Sequence, residues 1–177
     1  MSLKIAALAA VLATAGAAQA QHQHYAGQDS REIRALSADE VKQYLSGAGA
    51  GFAKAAELNH YPGPMHALEL ADQIGLTAEQ RAATRQLMDA HKAEARAIGV
   101  SVVDAERALQ ALFLRGSLTE GELGAAVLKA ATLQGEYRLS HLETHRRLRA
   151  VLSDPQVARY DELRGYASGS LGAGHRH

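Results

Sequence analysis

The chain has 177 residues, balances 19 Lys and Arg against 19 Asp and Glu, and contains no cysteine and no tryptophan. Such a charge balance gives no electrostatic footing for nucleic acid, and the absence of thiols excludes disulfides, thiolate metal sites and thiol redox chemistry. The hydrophobic content of 47 % leans on alanine, with 5 % aromatic residues, and this favours thin, closely packed helices in one domain over a thick globular core.

The first residues, MSLK, are followed by the apolar run IAALAAVLATAG and by AAQAQ. A charged start, a short apolar stretch and a small-x-small site read as a secretory signal peptide cut after Ala20. The run falls short of the about 20 apolar residues that span a bilayer, and an uncleaved anchor is the competing reading. The chain from Gln21 loses Lys4 and no acid, which leaves 18 basic against 19 acidic residues. Four helix starts are written as capping boxes, in which a hydroxyl and an acid or amide three residues later satisfy free backbone N–H groups. They are Ser37-Ala38-Asp39-Glu40, Thr77-Ala78-Glu79-Gln80, Thr119-Glu120-Gly121-Glu122 and Ser153-Asp154-Pro155-Gln156. No stretch alternates apolar and polar residues as a half-buried strand does.

In chain order, residues 21–35 read as a polar, mobile arm. A short helix follows Ser37 and ends at Gly47, Gly49 and Gly51, and another carries FAKAAELNH. Pro62-Gly63-Pro64 breaks the chain. A helix runs from about Pro64 to Ile74 and stops at Gly75, and a long one runs from Thr77 to about Arg115. Gly116-Ser117 makes a turn, a second long helix runs from Thr119 to about Leu152, and a last helix begins at Ser153. The division is a signal peptide over 1–20, an arm with short helices over 21–59, a helical hairpin domain over 60–166 and a disordered tail over 167–177.

The expected fold class is therefore all-α. The two long helices, joined by so short a turn, are expected to form an antiparallel hairpin. On the second, Leu123, Val127, Ala130, Gln134, Tyr137, His141, Thr144, Leu148 and Val151 step by fours and threes. On the first, Leu87, His91, Glu94, Ile98, Ala105, Leu109 and Leu112 behave similarly. A hairpin of about 50 Å cannot bury such a stripe alone. The short helices and a second subunit, giving a homodimer, are expected to cover it.

LTAEQ at 76–80 and LSDPQ at 152–156, one at each end of the hairpin of an exported, cysteine-free chain, resemble the paired LTxxQ motifs of the Spy/CpxP family. Ser153 stands where threonine is usual. The resemblance covers roughly residues 60–166. It implies an all-helical periplasmic protein that dimerises head to tail into a cradle and has no enzyme activity. It also implies one of three roles: ATP-independent chaperone for unfolded clients, partner of a membrane sensor protein, or metal sensor and buffer.

The histidines are what can choose among these roles. His22, His24, His175 and His177 lie near the two ends. In an antiparallel pair folded about residue 117, facing numbers sum to about 234, so His91 faces the gap between His141 and His145. His66, on the helix that folds back before Gly75, lands within two turns of His91. The path of His60 is unpredictable through Pro62-Gly63-Pro64. His141, His145, His66 and His91 are thus candidate ligands for a divalent transition metal, zinc, copper, nickel or cobalt, with Glu69 or Glu94 adding an oxygen. Metal-sensing members of the family similarly carry a histidine before the first motif and a ligand pair four residues apart before the second. Against this, His91 and His141 also look like half-buried core histidines, His145 opens the basic stretch HRRLR, and a pH-responsive hairpin is a further reading. The chain's methionines, Met1, Met65 and Met88, are too few for a methionine-type copper site. No hydrolytic triad or phosphate loop is legible, so no organic cofactor and no enzyme activity are expected.

Overall fold

The computed structural model describes residues 25–166. They are all helical: a single 3-10 turn at Gln28–Ser30 precedes α1 (Ala38–Ser46), α2 (Lys54–Glu57), α3 (Pro64–Glu69), α4 (Ala78–Leu114), α5 (Glu120–Val151) and α6 (Asp154–Arg164). Among the described residues there is no strand. No described helix is long and apolar enough to cross a membrane.

The four capping boxes start the four longest helices. Ser37, Thr77 and Thr119 each accept from the amide three residues on, at 3.2, 3.2 and 3.3 Å. At α6 the Ser153 hydroxyl donates to Gln156 Oε1 at 3.2 Å, and the same oxygen accepts from Ser153 N at 2.9 Å. Gly47 and Gly165, at φ +71° and +75°, close α1 and α6 in the left-handed conformation that glycine adopts without strain.

α4 and α5 pack along one another, and their contacts pair ascending with descending numbers. Gln80 meets Val151, His91 meets His141 and Glu106 meets Gln134. Two apolar clusters hold the other elements against this pair. The first gathers Ala67, Ala71, Ile74 and Leu76 with Leu148, Leu152, Val157 and Tyr160. The second gathers Ile33, Leu36 and Tyr44 with Ala95, Val102, Val103 and Tyr137. No residue between 106 and 129 is buried, and past Gln110 the long helices run on uncovered among the described residues.

The two LxxxQ stretches meet at the closed end. Gln80 Nε2 donates to Gln156 Oε1 at 2.9 Å, and Gln156 Nε2 donates to Gln80 Oε1 at 2.8 Å. Each amide also reaches the carbonyl just before the other motif, Gln80 to Val151 O and Gln156 to Gly75 O, both at 2.9 Å. Each glutamine thus caps its own helix and bridges to the other motif, while Leu76 and Leu152 bury beside the bridge.

Several expectations are corrected. The stretch before α1 is no free arm: Ile33 is 1 % exposed, and Gln110 clips the backbone to α4 by accepting from Arg34 N (2.6 Å) and donating to Glu32 O (2.9 Å). Isolated apolar residues such as Ile33 carry no periodicity to betray burial. The helix expected over FAKAAELNH contracts to Lys54–Glu57, because Ala50, Gly51 and His60 all take positive φ and bend the chain. The helix from Pro64 ends at Glu69, and turns carry Ala71, Ile74 and Leu76 into the first cluster. The buried face of α4 runs through Ala95 and Gly99, one residue round from the expected Glu94, which is exposed. Small residues are needed there: a Cβ on Gly99 would lie 2.1 Å from Tyr44 O of α1.

The glutamine bridge generates a stability prediction. Gln80→Ala and Gln156→Ala each cost about 1–2 kcal/mol. Because the two share their bonds, the double variant costs less than the sum by about 1 kcal/mol in a urea-unfolding cycle. Strict additivity would show that the bridge does not form.

Candidate functional site

Along one face of α5 the buried residues run Tyr137, His141, Thr144, His145, Leu148. Tyr137 belongs to one apolar cluster and Leu148 to the other, so the histidines occupy the stretch of core between them. There a cavity of about 380 Å³ opens, bounded by the end of α1, the start of α3 and the facing sides of α4 and α5.

All four histidines proposed as ligands line this cavity. His141 and His145 are 4 % and 6 % exposed, whereas His66 and His91 are half-buried. The His91 and His141 rings stand edge to face, 4.3 Å between centroids, as the register requires. The remaining histidines are elsewhere. His60, in a left-handed conformation at φ +66°, is largely exposed and pairs with buried Asp161 at 2.7 Å. His22, His24, His175 and His177 fall outside the described residues. Of the suggested oxygen donors, Glu94 points to solvent and does not line the cavity, and Glu69 bonds to His66.

The hydrogen bonds orient the imidazoles. Nδ1 of His141 lies 2.9 Å from Tyr137 O, and Nδ1 of His145 lies 2.9 Å from Tyr61 O. A carbonyl only accepts, so each Nδ1 carries a proton, and in the neutral tautomer Nε2 keeps its lone pair. His66 Nδ1 lies 2.8 Å from Glu69 Oε2 with the same consequence. Outer oxygens of this kind orient and strengthen imidazole ligands in metal sites. His91 Nδ1 and His141 Nε2 are buried without a hydrogen-bond partner.

Burial sets the protonation. Desolvation first, and then the nearby His141 and His145, push His91 down to about 4. His141 is lowered chiefly by desolvation, against the opposing pull of the Tyr137 carbonyl. At neutral pH both rings are therefore neutral, with lone pairs not blocked by protons.

Sequence reasoning missed the floor of the site. Glu57 accepts from the Tyr160 hydroxyl at 3.0 and 3.1 Å and lines the cavity beside His145. Gly63 lets the two approach. A Cβ there would lie 2.7 Å from Glu57 Oε1 and 2.9 Å from His145 Cε1. Pro62-Gly63-Pro64 reads in sequence as a chain break, and its glycine carries the only hint of a close approach. Met65 and Met88 also line the cavity. As the side chains stand, no three of His, Cys, Asp and Glu among the described residues are gathered tightly enough to hold an ion.

No family model, curated protein or solved structure matches this chain.

The buried pair predicts a pH dependence of the metal-free protein. Unfolded histidine takes up its proton near 6.5, but folded His91 resists until about 4. The unfolded state binds more protons in that window, so stability is full above about pH 6.5 and is lost as the pH falls. The His91 share is on the order of 3 kcal/mol at most. Urea midpoints between pH 7 and 5, above the carboxylate range, should fall with pH, and His91→Asn should flatten the slope. An unchanged slope in the variant would show that His91 is not the group responsible.

Proposed function

We propose that this chain is a periplasmic, Spy/CpxP-like protein whose histidine cavity binds a divalent transition metal for sensing or buffering. The observation that carries the reading is the presentation of His66, His141 and His145 on one cavity, each with Nδ1–H committed to an oxygen and Nε2 left as a donor. With His91 they come from three different helices, so a shared ion would tie α3, α4 and α5 together. His66 is the ligand that must move, and its exposed partner Glu69 holds it weakly. Rotation of its ring over His141 and His145 would complete a three-nitrogen set, with Glu57 lining the same cavity. Zinc, copper, nickel and cobalt all accept neutral imidazole. On this reading α4 and α5 are the antiparallel hairpin of the family, and a homodimer covers its uncovered end.

Calorimetric titration of the tag-free, metal-stripped protein with zinc, copper, nickel and cobalt tests this. One saturable site per chain or per dimer, of about micromolar affinity or tighter, is expected. His141→Ala with His145→Ala should abolish it. His66→Ala, at a half-exposed position that spares the core, should weaken it. Unchanged stoichiometry in both variants would sink the reading.

A specific observation favours a second role, that of an ATP-independent chaperone. Phe113, Leu114 and Leu128 are 59 %, 59 % and 69 % exposed on the uncovered end of α4 and α5. Apolar surface of this kind within polar surroundings is what an unfolded client would meet. On this reading the protein suppresses aggregation of an unfolding client at near-stoichiometric ratio, and Phe113→Ser with Leu128→Ser reduces the effect. No suppression by the wild type, with or without metal, removes the chaperone role. The resemblance also allows partnership with a membrane sensor protein, which the metal-bound form would engage.

A further inference from the structure

We infer that His60 and Asp161 are positioning residues of the metal site: their pairing holds the strap of residues 57–63 so that the Tyr61 carbonyl keeps His145 in the tautomer that can bind metal. The inference rests on the metal-binding reading above and adds to it two residues that do not line the cavity.

Stability alone does not account for the pairing. His60 is one of two non-glycine residues with positive φ among the described residues, at +66°. In that conformation an L side chain crowds the following carbonyl. Asp161, on α6, is 6 % exposed, and its Oδ1 is buried without a hydrogen-bond partner. Its Oδ2 meets His60 Nδ1 at 2.7 Å, and the His60 side chain is largely exposed. A carboxylate buried with one oxygen unpaired is a weak source of stability, and a well-packed apolar residue in such a place is often as good or better.

The pairing does fix a location. α6 grips the strap again through the neighbouring residue: the Tyr160 hydroxyl donates to Glu57 at 3.0 Å and accepts from Gly63 N at 3.3 Å. Tyr160 thus holds the two ends of the strap, and Asp161 holds its middle. Between these points the strap touches His145 twice. Tyr61 O accepts from Nδ1 at 2.9 Å, and Gly63 lies so close that a Cβ there would be 2.9 Å from Cε1. The Tyr61 carbonyl follows directly on His60 and precedes Pro62, which is fully buried, so its direction is set from both sides.

That direction decides which nitrogen can bind metal. A neutral imidazole carries one proton, and the carbonyl at Nδ1 keeps it there, leaving Nε2 as the donor. Should the carbonyl swing away, the proton is free to move to Nε2 and block it. His141 differs, because its carbonyl partner, Tyr137 O, lies one turn back on its own helix. It is the internal control.

The first readout needs no metal. In protein isotope-labelled at the histidine nitrogens, at about pH 8 where an ordinary imidazole is neutral, the NMR shifts report which nitrogen holds the proton. The wild type should show the Nδ1–H form at both His141 and His145. Asp161→Leu should move His145 toward the Nε2–H form and leave His141 unchanged. The second readout is zinc affinity by calorimetry, which should fall about tenfold in the same variant, as when an outer oxygen is lost from a metal site. If Asp161→Leu loses helix content, His60→Ala, at an exposed position, should give the same two changes. His60→Asn should restore both, because asparagine tolerates positive φ and its Nδ2 stands as many bonds from Cα as the Nδ1 of histidine. Unchanged His145 shifts in Asp161→Leu and His60→Ala overturn this inference and leave the metal reading to its own titration. A shifted tautomer with undiminished zinc affinity overturns it as well. If the wild type binds no metal, the metal reading falls and the positioning role falls with it, whatever the nitrogen shifts show.

Discussion

The arrangement depends on the amide exchange between Gln80 and Gln156. Two helix starts, one opening α4 and one opening α6, are each capped by their own glutamine and joined to the other by it. A capping residue is ordinarily a local device. Here the spare N–H of each cap is directed across the structure, so the same atoms that begin two helices also fix where they begin relative to one another. The bond ties the end of the long pair far from the turn, in the same register that sets His91 against His141. Leu76 and Leu152 are buried beside the bridge, while its two glutamines stay half-buried.

Between the bridge and the second apolar cluster the molecule gives core positions to polar side chains. Thr84, Ser140, His141, Thr144 and His145 are all buried. The hydroxyls satisfy themselves on carbonyls one turn back, as Thr84 does on Gln80 O and Thr144 on Ser140 O. His141 bonds Tyr137 O one turn back and His145 bonds Tyr61 O, and His141 Nε2 is left without a partner. A leucine at position 141 would leave no such deficit, so the fold carries a cost there that an apolar residue would remove. Unsatisfied buried donors and acceptors that line a cavity are where sequence and fold disagree, and such disagreements concentrate at functional positions.

Much of this was legible in the sequence, for identifiable reasons. Capping boxes and glycine stops announced α1, α4, α5 and α6 because their chemistry is local. The numbering of a tight antiparallel pair brought His91 to His141 because helix rise is uniform. What could not be read was set by distant contacts. Ile33 and Leu36 lacked any period, and α2 and α3 were cut short by backbone bends answering to packing elsewhere. The face of α4 was misjudged by one residue because Gly99 and Ala95 are chosen for the approach of Tyr44, which no spacing reveals. At the site the histidines could be anticipated as helix positions. Glu57 and the approach of Met65 could not be, because Pro62-Gly63-Pro64 hid the path that brings them round.

The two ends of the long pair are unequal in what holds them. Near the bridge α5 packs with α3, α4 and α6, while past Gln110, where the segment before α1 is clipped to α4, no side chain is buried until Ala130. Backbone amides there are protected by little more than helix formation itself, so they open at far lower free energy than those beside Tyr137 and Leu148. The molecule is therefore a gradient. Exchange with solvent deuterium is expected to begin at the turn around Gly116 and to advance along both helices of the pair. It should slow where Ala105 and Ala130 are the first side chains on each helix to be buried. The outer third can fray and re-form many times without disturbing the histidines.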